Sequence, residues 1–212
     1  MTVKENLSKV LNDVEKYNPK IIAVTKYYDE NKMIEAFNCG LRDFGESRVP
    51  ECIKKIGKID DTIKSQSIYH FIGHLQTNKV KYVVGFFEYI HSVDSLKLAQ
   101  AINLEAEKKG IIQKILLQIN NANEPQKFGI PKQQIENLIE EVSMLKSLSL
   151  EGFMNIAPLT DDTSELTRLF SEMFKLKEQY NLKELSMGMS HDYKIAVENG
   201  ATMIRLGRIL FE

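Results

Sequence analysis

The chain has 212 residues, of which 28 are Lys or Arg and 29 are Asp or Glu, so its formal net charge is -1 at pH 7. This balance argues against a general nucleic-acid-binding protein, which usually carries an excess of basic residues. No apolar run approaches the roughly 18 residues that span a bilayer. The N-terminus has no signal peptide, and the two cysteines, Cys39 and Cys52, are too few for a disulfide framework. We therefore expect a cytoplasmic protein without a membrane or nucleic-acid partner.

Short apolar runs alternate with segments of helical periodicity along the chain. Their spacing, an average of about 26 residues, suits one strand and one helix per unit. Eight such units predict an α/β fold, a (β/α)8 TIM barrel, forming a single domain over residues 1–212 with an extra N-terminal helix before the first strand. The predicted strands are residues 21–24, 43–45, 69–73, 89–93, 115–119, 150–156, 185–189 and 202–207.

An open, doubly wound sheet is the alternative fold. Such a sheet would carry a glycine-rich dinucleotide fingerprint directly after its first strand. Residues 24–29 read Val-Thr-Lys-Tyr-Tyr-Asp and contain no glycine. The barrel is therefore favoured, and its active face is expected at the carboxyl ends of the strands.

Lys26 follows the first strand at that face. We expect a partly dry barrel mouth there, in which the loss of water disfavours the ammonium form of a lysine. A lysine in that state is a competent Schiff-base nucleophile. The plainer interpretation is a lysine at a strand end that simply reaches water.

Small residues follow the seventh and eighth strands, where many barrels bind phosphate. Gly188 and Gly207 would let backbone N–H groups approach an anion, and the hydroxyl of Ser190 adds a donor. A helix beginning near His191 would point its N-terminus at the same anion. The alternative is that these small residues only permit tight turns.

Three histidines follow or lie within the third and fourth strands. His70, His74 and His91 could form a metal site, but no acidic residue lies at a matching spacing. We therefore expect ordinary packed or hydrogen-bonded histidines and no metal.

At these positions the chain resembles the pyridoxal 5'-phosphate (PLP) homeostasis proteins, which are single-barrel relatives of the N-terminal domain of bacterial alanine racemase. The matching segments cover nearly the whole chain, and the two most specific are His-Phe-Ile-Gly-His-Leu-Gln-Thr-Asn-Lys at 70–79 and Leu-Ser-Met-Gly-Met-Ser at 185–190. The others are residues 23–26, 40–46, 91–95 and 200–207. The resemblance implies a fold-type III PLP-binding barrel.

The resemblance also implies a role for each matching position. Lys26 corresponds to the lysine that holds PLP as a Schiff base. Ser190, Gly207 and the backbone N–H of Arg208 correspond to the phosphate site, and Arg205 to the arginine that faces the pyridine nitrogen. Three further positions are expected near the ring or at the mouth: Asn155, Met187 and His74.

The chain departs from the family pattern at three positions. Ser47 stands where the family usually has asparagine, and Arg48 where it usually has an aromatic residue. Arg208 replaces a small hydroxyl residue, so a backbone contact to phosphate survives but a hydroxyl contact does not. We expect Arg208 to offset that loss by a charge-assisted bond to the phosphate.

The resemblance favours a PLP-binding protein that holds the cofactor, limits free PLP and passes it to apo-enzymes, without robust catalysis. A racemase of this lineage needs a second, β-rich domain, and nothing after residue 212 supplies one, so we expect a monomer and no enzyme. Two alternatives stay open. One is a minimal PLP-dependent amino-acid racemase or lyase, for which Tyr27, Tyr28 and His74 are the candidate second acid-base groups. The other is a barrel that binds a sugar phosphate or nucleotide.

Overall fold

Eight parallel strands form a closed barrel in the computed structural model of the protein, which describes residues 2–122, 124 and 127–212. Each strand pairs with the next in chain order, and the eighth pairs with the first, which confirms the predicted fold. The strands are β1 (Lys20–Val24), β2 (Asp43–Glu46), β3 (Ile68–Phe71), β4 (Tyr89–Val93), β5 (Gln113–Ile119), β6 (Leu148–Asn155), β7 (Glu184–Ser186) and β8 (Met203–Leu206).

Helices precede the barrel and connect its strands. They are α1 (Val3–Val14), α2 (Glu30–Asn38), α3 (Glu51–Gly57), α4 (Asp61–Ser65), α5 (Val80–Val83), α6 (Leu96–Lys109), α7 (Ile135–Ser143), α8 (Thr163–Gln179), α9 (Tyr193–Glu198) and α10 (Arg208–Phe211). Two 3-10 turns, Thr77–Lys79 and Lys132–Gln134, lead into α5 and α7. None of the helices within the described ranges combines the length and apolar composition that a membrane crossing requires.

The hydrophobic core has two parts. A large cluster lies between the strands and the surrounding helices, and a small one fills part of the barrel interior with Ile22, Tyr89, Leu116, Met154 and Met203. Side chains two apart on a strand share a face. A residue also points into the barrel if it pairs in register with a member of this small cluster, or if it lies two positions from a member on the same strand.

The seventh strand is shorter than the sequence predicts. It ends at Ser186, whereas the prediction extends it to Met189. The reason is Gly188, whose φ of +91° is incompatible with an extended strand. A Cβ at this position would lie 2.6 Å from the Cβ of Ala196, so only glycine fits this turn.

The N-terminal helix covers the barrel where the last helix is short. α10 has only 4 residues, and α1 packs beside it and against α2 and α9. The amide Nδ2 of Asn6 donates to the Leu210 carbonyl at 3.2 Å. The apolar face of α1, formed by Val3, Leu7, Val10 and Val14, is buried. The leading helix thus packs beside α10 and covers this part of the barrel.

Candidate functional site

Lys26 lies in the turn after β1, at the carboxyl end of the barrel. Its side chain is exposed, and its Nζ lies 5.0 Å from the centroid of the Tyr27 ring. The expectation of a partly dry environment around Lys26 is therefore wrong. β1 ends at Val24, so Lys26 has already left the wall of the barrel and its amine reaches water.

The backbone on either side of Lys26 is held by a buried ion pair. The carboxylate of Glu46, at the end of β2, accepts from the Thr25 hydroxyl at 2.5 Å and from Lys55 Nζ. Lys55 Nζ also donates to the carbonyls of Thr25, at 2.7 Å, and Tyr28, at 3.2 Å. One ammonium from α3 therefore holds the residues before and after the reactive-lysine candidate, while the Lys26 side chain remains free.

The loops after β7 and β8 meet at one corner of the mouth. The Ser190 hydroxyl lies 3.4 Å from the backbone nitrogen of Ile209, in the first turn of α10. Gly207 precedes this helix, and a Cβ placed on it would meet only Val24, at ordinary contact distances of 3.6 Å or more. The side chain of Arg208 is exposed. Because the first N–H groups of a helix have no acceptor within it, this corner can receive an anion.

Arg205 lies inside the barrel and is only 5% exposed. Its guanidinium donates from Nη1 to the Ser186 hydroxyl and from Nη2 to the Asn155 carbonyl, each at 2.8 Å. Burial lowers the pKa of Arg205 to about 10, against a smaller opposing effect of Asp192, so the group is cationic at neutral pH. Among the described residues, no carboxylate forms a salt bridge with it, and its remaining N–H groups have no hydrogen-bond partner.

Asn155, at the end of β6, presents an acceptor to the same region. Its Nδ2 donates to the Asn121 side chain at 2.9 Å, which fixes the orientation of the amide. Its Oδ1 is buried and has no partner within the described part of the chain. A buried acceptor without a donor costs free energy unless a ligand or water satisfies it. This oxygen and the free N–H groups of Arg205 can bind the polar edge of a ligand.

The two other predicted residues differ in accessibility. His74 is exposed at the rim, where its ring stacks on Phe128 with centroids 3.8 Å apart and its Nδ1 lies 3.6 Å from the Asp94 carboxylate. Met187 is completely buried in the main hydrophobic cluster. The structure thus leaves His74 accessible to an incoming molecule, whereas the side chain of Met187 is inaccessible to solvent.

His70 and His91 are hydrogen-bonded to each other in the barrel interior, at 2.9 Å, as expected for packed histidines. No acidic residue lies at a matching spacing in the sequence, but the fold supplies one, because Asp43 lies 2.9 Å from His70 Nε2. No group of three or more His, Cys, Asp or Glu side chains in the described ranges is arranged to hold a metal ion.

Sequence reasoning missed Lys55 and Ser186. Lys55 lies on a helix among other lysines, and nothing in its spacing indicates an interaction with β2. Ser186 belongs to a matching segment, but its contact with Arg205 depends on the pairing of β7 with β8. The signal that could have found Ser186 is a small polar residue within an otherwise apolar strand, two positions before Gly188.

A family model described as "Alanine racemase, N-terminal domain" matches residues 2–212. The chain therefore belongs to the alanine racemase N-terminal domain family. It is 35% identical over 226 residues to the pyridoxal phosphate homeostasis protein of Aquifex aeolicus, covering 100% of this chain and 98% of that one. It is 39% identical over 199 residues to the protein of the same name from Synechocystis, covering 91% and 90%.

A solved relative has the same fold. PipY of Synechococcus elongatus, determined with PLP bound, superposes with a TM-score of 0.90 at 34% sequence identity, over 100% of both chains. The family assignment rests on the family model and on these relatives. The bound PLP was observed in PipY.

Replacing Lys55 by Met is expected to destabilise the protein by about 3 kcal/mol, because it leaves the Glu46 carboxylate buried without its cation. Adding Glu46→Gln should restore at least half of the loss. Lys58→Met is the matched control, since the Lys58–Glu30 pair is exposed, with 64% of the lysine side chain accessible, and should cost less than about 1 kcal/mol. Urea unfolding measures all four proteins, and equal losses for Lys55→Met and Lys58→Met would contradict the buried pair.

The free energy of unfolding should fall as the pH is lowered through about 6.5, where an unfolded histidine titrates. Burial, followed by the repulsion that a charged His91 would meet from neighbouring cations such as Arg205 and Lys20, holds the pKa of His91 well below its usual value. The unfolded chain therefore binds more protons at low pH, and stability is lost as the pH falls.

From about pH 8 to about pH 5 this single residue should remove about 2 kcal/mol. Urea unfolding across this range should show a shallower loss for His91→Phe than for the wild type. His191→Phe is the control, because His191 is exposed, and it should keep the wild-type slope. If His91→Phe also keeps that slope, His91 does not titrate as described.

Proposed function

We propose that the protein binds PLP at the carboxyl end of its barrel, holds it as a Schiff base on Lys26, and takes part in intracellular PLP homeostasis without robust catalysis. The observation that carries this proposal is the buried guanidinium of Arg205, which donates to the Ser186 hydroxyl and to the backbone carbonyl of Asn155, a residue whose own Oδ1 has no partner in the described part of the chain. Such a pair suits the polar edge of a pyridine ring. The binding of PLP by PipY supports the same ligand.

The residues present fit PLP in three respects. The Ser190 hydroxyl, Gly207 and the backbone N–H of Arg208 form an anion-binding corner for the phosphate. The exposed amine of Lys26 is free to add to an aldehyde carbon, with loss of water. Arg205 is the residue that would hold the pyridine nitrogen, because its guanidinium can donate a hydrogen bond to it.

Arg205 also supports a holding function over catalysis. PLP serves enzymes as an electron sink, and it does so best when its pyridine nitrogen is protonated. A cation beside that nitrogen disfavours its protonation. The guanidinium of Arg205 therefore binds the ring in a state that is poor for carbanion chemistry.

The candidate second acid-base groups give little support to a racemase. Tyr27 is 71% exposed, so nothing fixes its hydroxyl over one face of a bound ligand. The hydroxyl of Tyr28 lies 3.1 Å from the Glu212 carboxylate, and burial followed by that contact raises its pKa. His74 is engaged with Phe128 and Asp94 at the rim.

We further propose that the protein acts as a monomer that delivers PLP to apo-enzymes. The apolar face of α1 is buried and its Asn6 side chain donates to the Leu210 carbonyl of α10, so the chain itself covers this part of the barrel. The exposed position of Lys26 lets a recipient protein or free amine reach the bound cofactor.

Incubation with PLP should give a yellow imine band, and borohydride reduction should trap the cofactor on Lys26, as peptide mass mapping would show. Lys26→Ala should lose at least about 90% of the trapped adduct, because the nucleophile is gone. Lys146→Ala, which removes an exposed lysine that precedes β6 at the other end of the barrel, should retain the wild-type amount.

Two outcomes would contradict the proposal. A colourless protein, or trapping spread over surface lysines, would favour a barrel that binds other phosphorylated ligands. Turnover of alanine or serine by the PLP-loaded protein, abolished in Lys26→Ala, would favour the racemase or lyase alternative.

Replacing Arg208 by Thr should weaken PLP binding at low salt by about tenfold, since the exposed guanidinium adds a charge-assisted contact to phosphate. Because screening by salt weakens exposed charge contacts, the difference should shrink as salt is raised. Arg168→Thr, which removes an exposed arginine on α8, is the control and should bind as the wild type does. Equal affinities of Arg208→Thr and wild type at every salt concentration would show that Arg208 makes no such contact.

A further inference from the structure

A row of hydrogen-bonded side chains crosses the barrel interior and ends on Arg205. Asp43 Oδ1 lies 2.9 Å from His70 Nε2, and His70 Nδ1 lies 2.9 Å from His91 Nε2. His91 Nδ1 lies 3.0 Å from the Ser186 hydroxyl, which accepts from Arg205 at 2.8 Å. We call these five residues the interior relay. It joins β2, β3 and β4 to β7 and β8, on the other side of the barrel.

Only one direction of hydrogen donation satisfies every member of the interior relay while both histidines are neutral. A carboxylate only accepts and a guanidinium only donates, so donation runs from Arg205 towards Asp43. The Ser186 oxygen accepts from Arg205, and the Ser186 proton goes to His91 Nδ1. His91 then carries its proton on Nε2 and donates to His70 Nδ1. His70 carries its proton on Nε2 and donates to the Asp43 carboxylate. This assignment of ring protons follows from the hydrogen-bond network.

The surroundings favour neutral histidines. The pKa of His91 is held well below its usual value by burial and then by neighbouring cations such as Arg205 and Lys20. Burial also lowers the pKa of His70, against Asp43 and Glu184, which act in the opposite direction.

The interior relay leaves the charge of Arg205 unpaired at the site. Its negative end, Asp43, is four hydrogen bonds away, and the group that touches the guanidinium is a neutral hydroxyl. Asn155 supplies the other acceptor through its backbone carbonyl. The guanidinium is therefore fixed in orientation by two acceptors while it keeps its full positive charge.

We propose that Ser186, His91, His70 and Asp43 are positioning residues that hold the cationic guanidinium of Arg205 against the pyridine nitrogen of PLP and so keep that nitrogen unprotonated. This inference rests on the proposed function. Without the Ser186 hydroxyl, Arg205 loses one of its two acceptors and His91 Nδ1 loses its donor. The guanidinium can then turn away from the nitrogen, which becomes easier to protonate.

The test uses full-length protein loaded with PLP whose pyridine nitrogen is isotope-labelled, followed by nitrogen NMR as the pH is lowered. In Ser186→Ala the pyridine nitrogen should protonate at a pH higher by at least about one unit, a tenfold change in proton affinity. Ser186→Thr, which keeps the hydroxyl, should behave as the wild type.

Tyr89→Phe is the matched control for a lost hydroxyl inside the barrel. Its ring stacks on His70, with centroids 5.1 Å apart, but its hydroxyl is outside the interior relay, so the pyridine nitrogen should titrate as in the wild type. Thermal unfolding checks that each variant folds. Ser186→Cys replaces Ser186→Ala if the latter does not fold, because a thiol fills the same place and hydrogen-bonds weakly.

A second measurement, on the protein without PLP, separates this inference from the proposed function. Nitrogen NMR of the histidine rings should show His70 and His91 neutral and protonated on Nε2 at neutral pH. The other tautomer, or a charged ring, would overturn the interior relay whatever the protein binds. With the expected tautomers, identical nitrogen titrations in wild type and Ser186→Ala would overturn the positioning role. If the wild type traps no PLP on Lys26, the proposed function fails, and this inference fails with it.

Discussion

The buried guanidinium of Arg205 is the constraint on which the rest of the site depends. A charge removed from water must find hydrogen-bond partners, or it costs several kcal/mol. The fold supplies these partners from two strands, as the Ser186 hydroxyl on β7 and the Asn155 carbonyl on β6. Because neither partner is a carboxylate, the positive charge remains available to a ligand at the mouth of the barrel.

The neighbouring strand end, after β1, combines a backbone held by hydrogen bonds with an exposed side chain. Lys55 and Glu46 hold the backbone before and after Lys26, while the Lys26 amine itself is exposed. Under the proposed function, this division suits a protein that must both hold PLP and release it. A fixed backbone places the amine within reach of the cofactor, and water or an incoming amine can reach the bond that forms.

The interior relay links the guanidinium of Arg205 to polar side chains inside the barrel. Most small barrels fill their interior with apolar side chains in layers, and here one such cluster surrounds Met203 and Tyr89. Beside it lies a polar row that ends on Arg205. A buried polar network specifies one arrangement when every member is satisfied, and the single direction of donation from Arg205 to Asp43 meets that condition.

The sequence by itself determined the barrel, its strand order and the positions of Lys26, Ser190 and Gly207 at one face. It could do so because alternating strands and helices leave few topologies, and parallel strands bring their carboxyl ends together. It extended β7 too far, to Met189. The strand ends at Ser186, because Gly188, two residues further on, has a left-handed backbone conformation.

Only the tertiary structure decided which side chains meet inside the barrel. His91 and Ser186 are 95 positions apart in the chain, and their contact exists because closing the sheet brings β4 opposite β7. The exposure of Lys26 was also decided by the fold, because β1 ends before it. The periodicity of apolar residues in the sequence indicates the face of a strand or helix on which a residue lies. Hydrogen bonds across the barrel interior depend on how the eight strands pair to close the sheet.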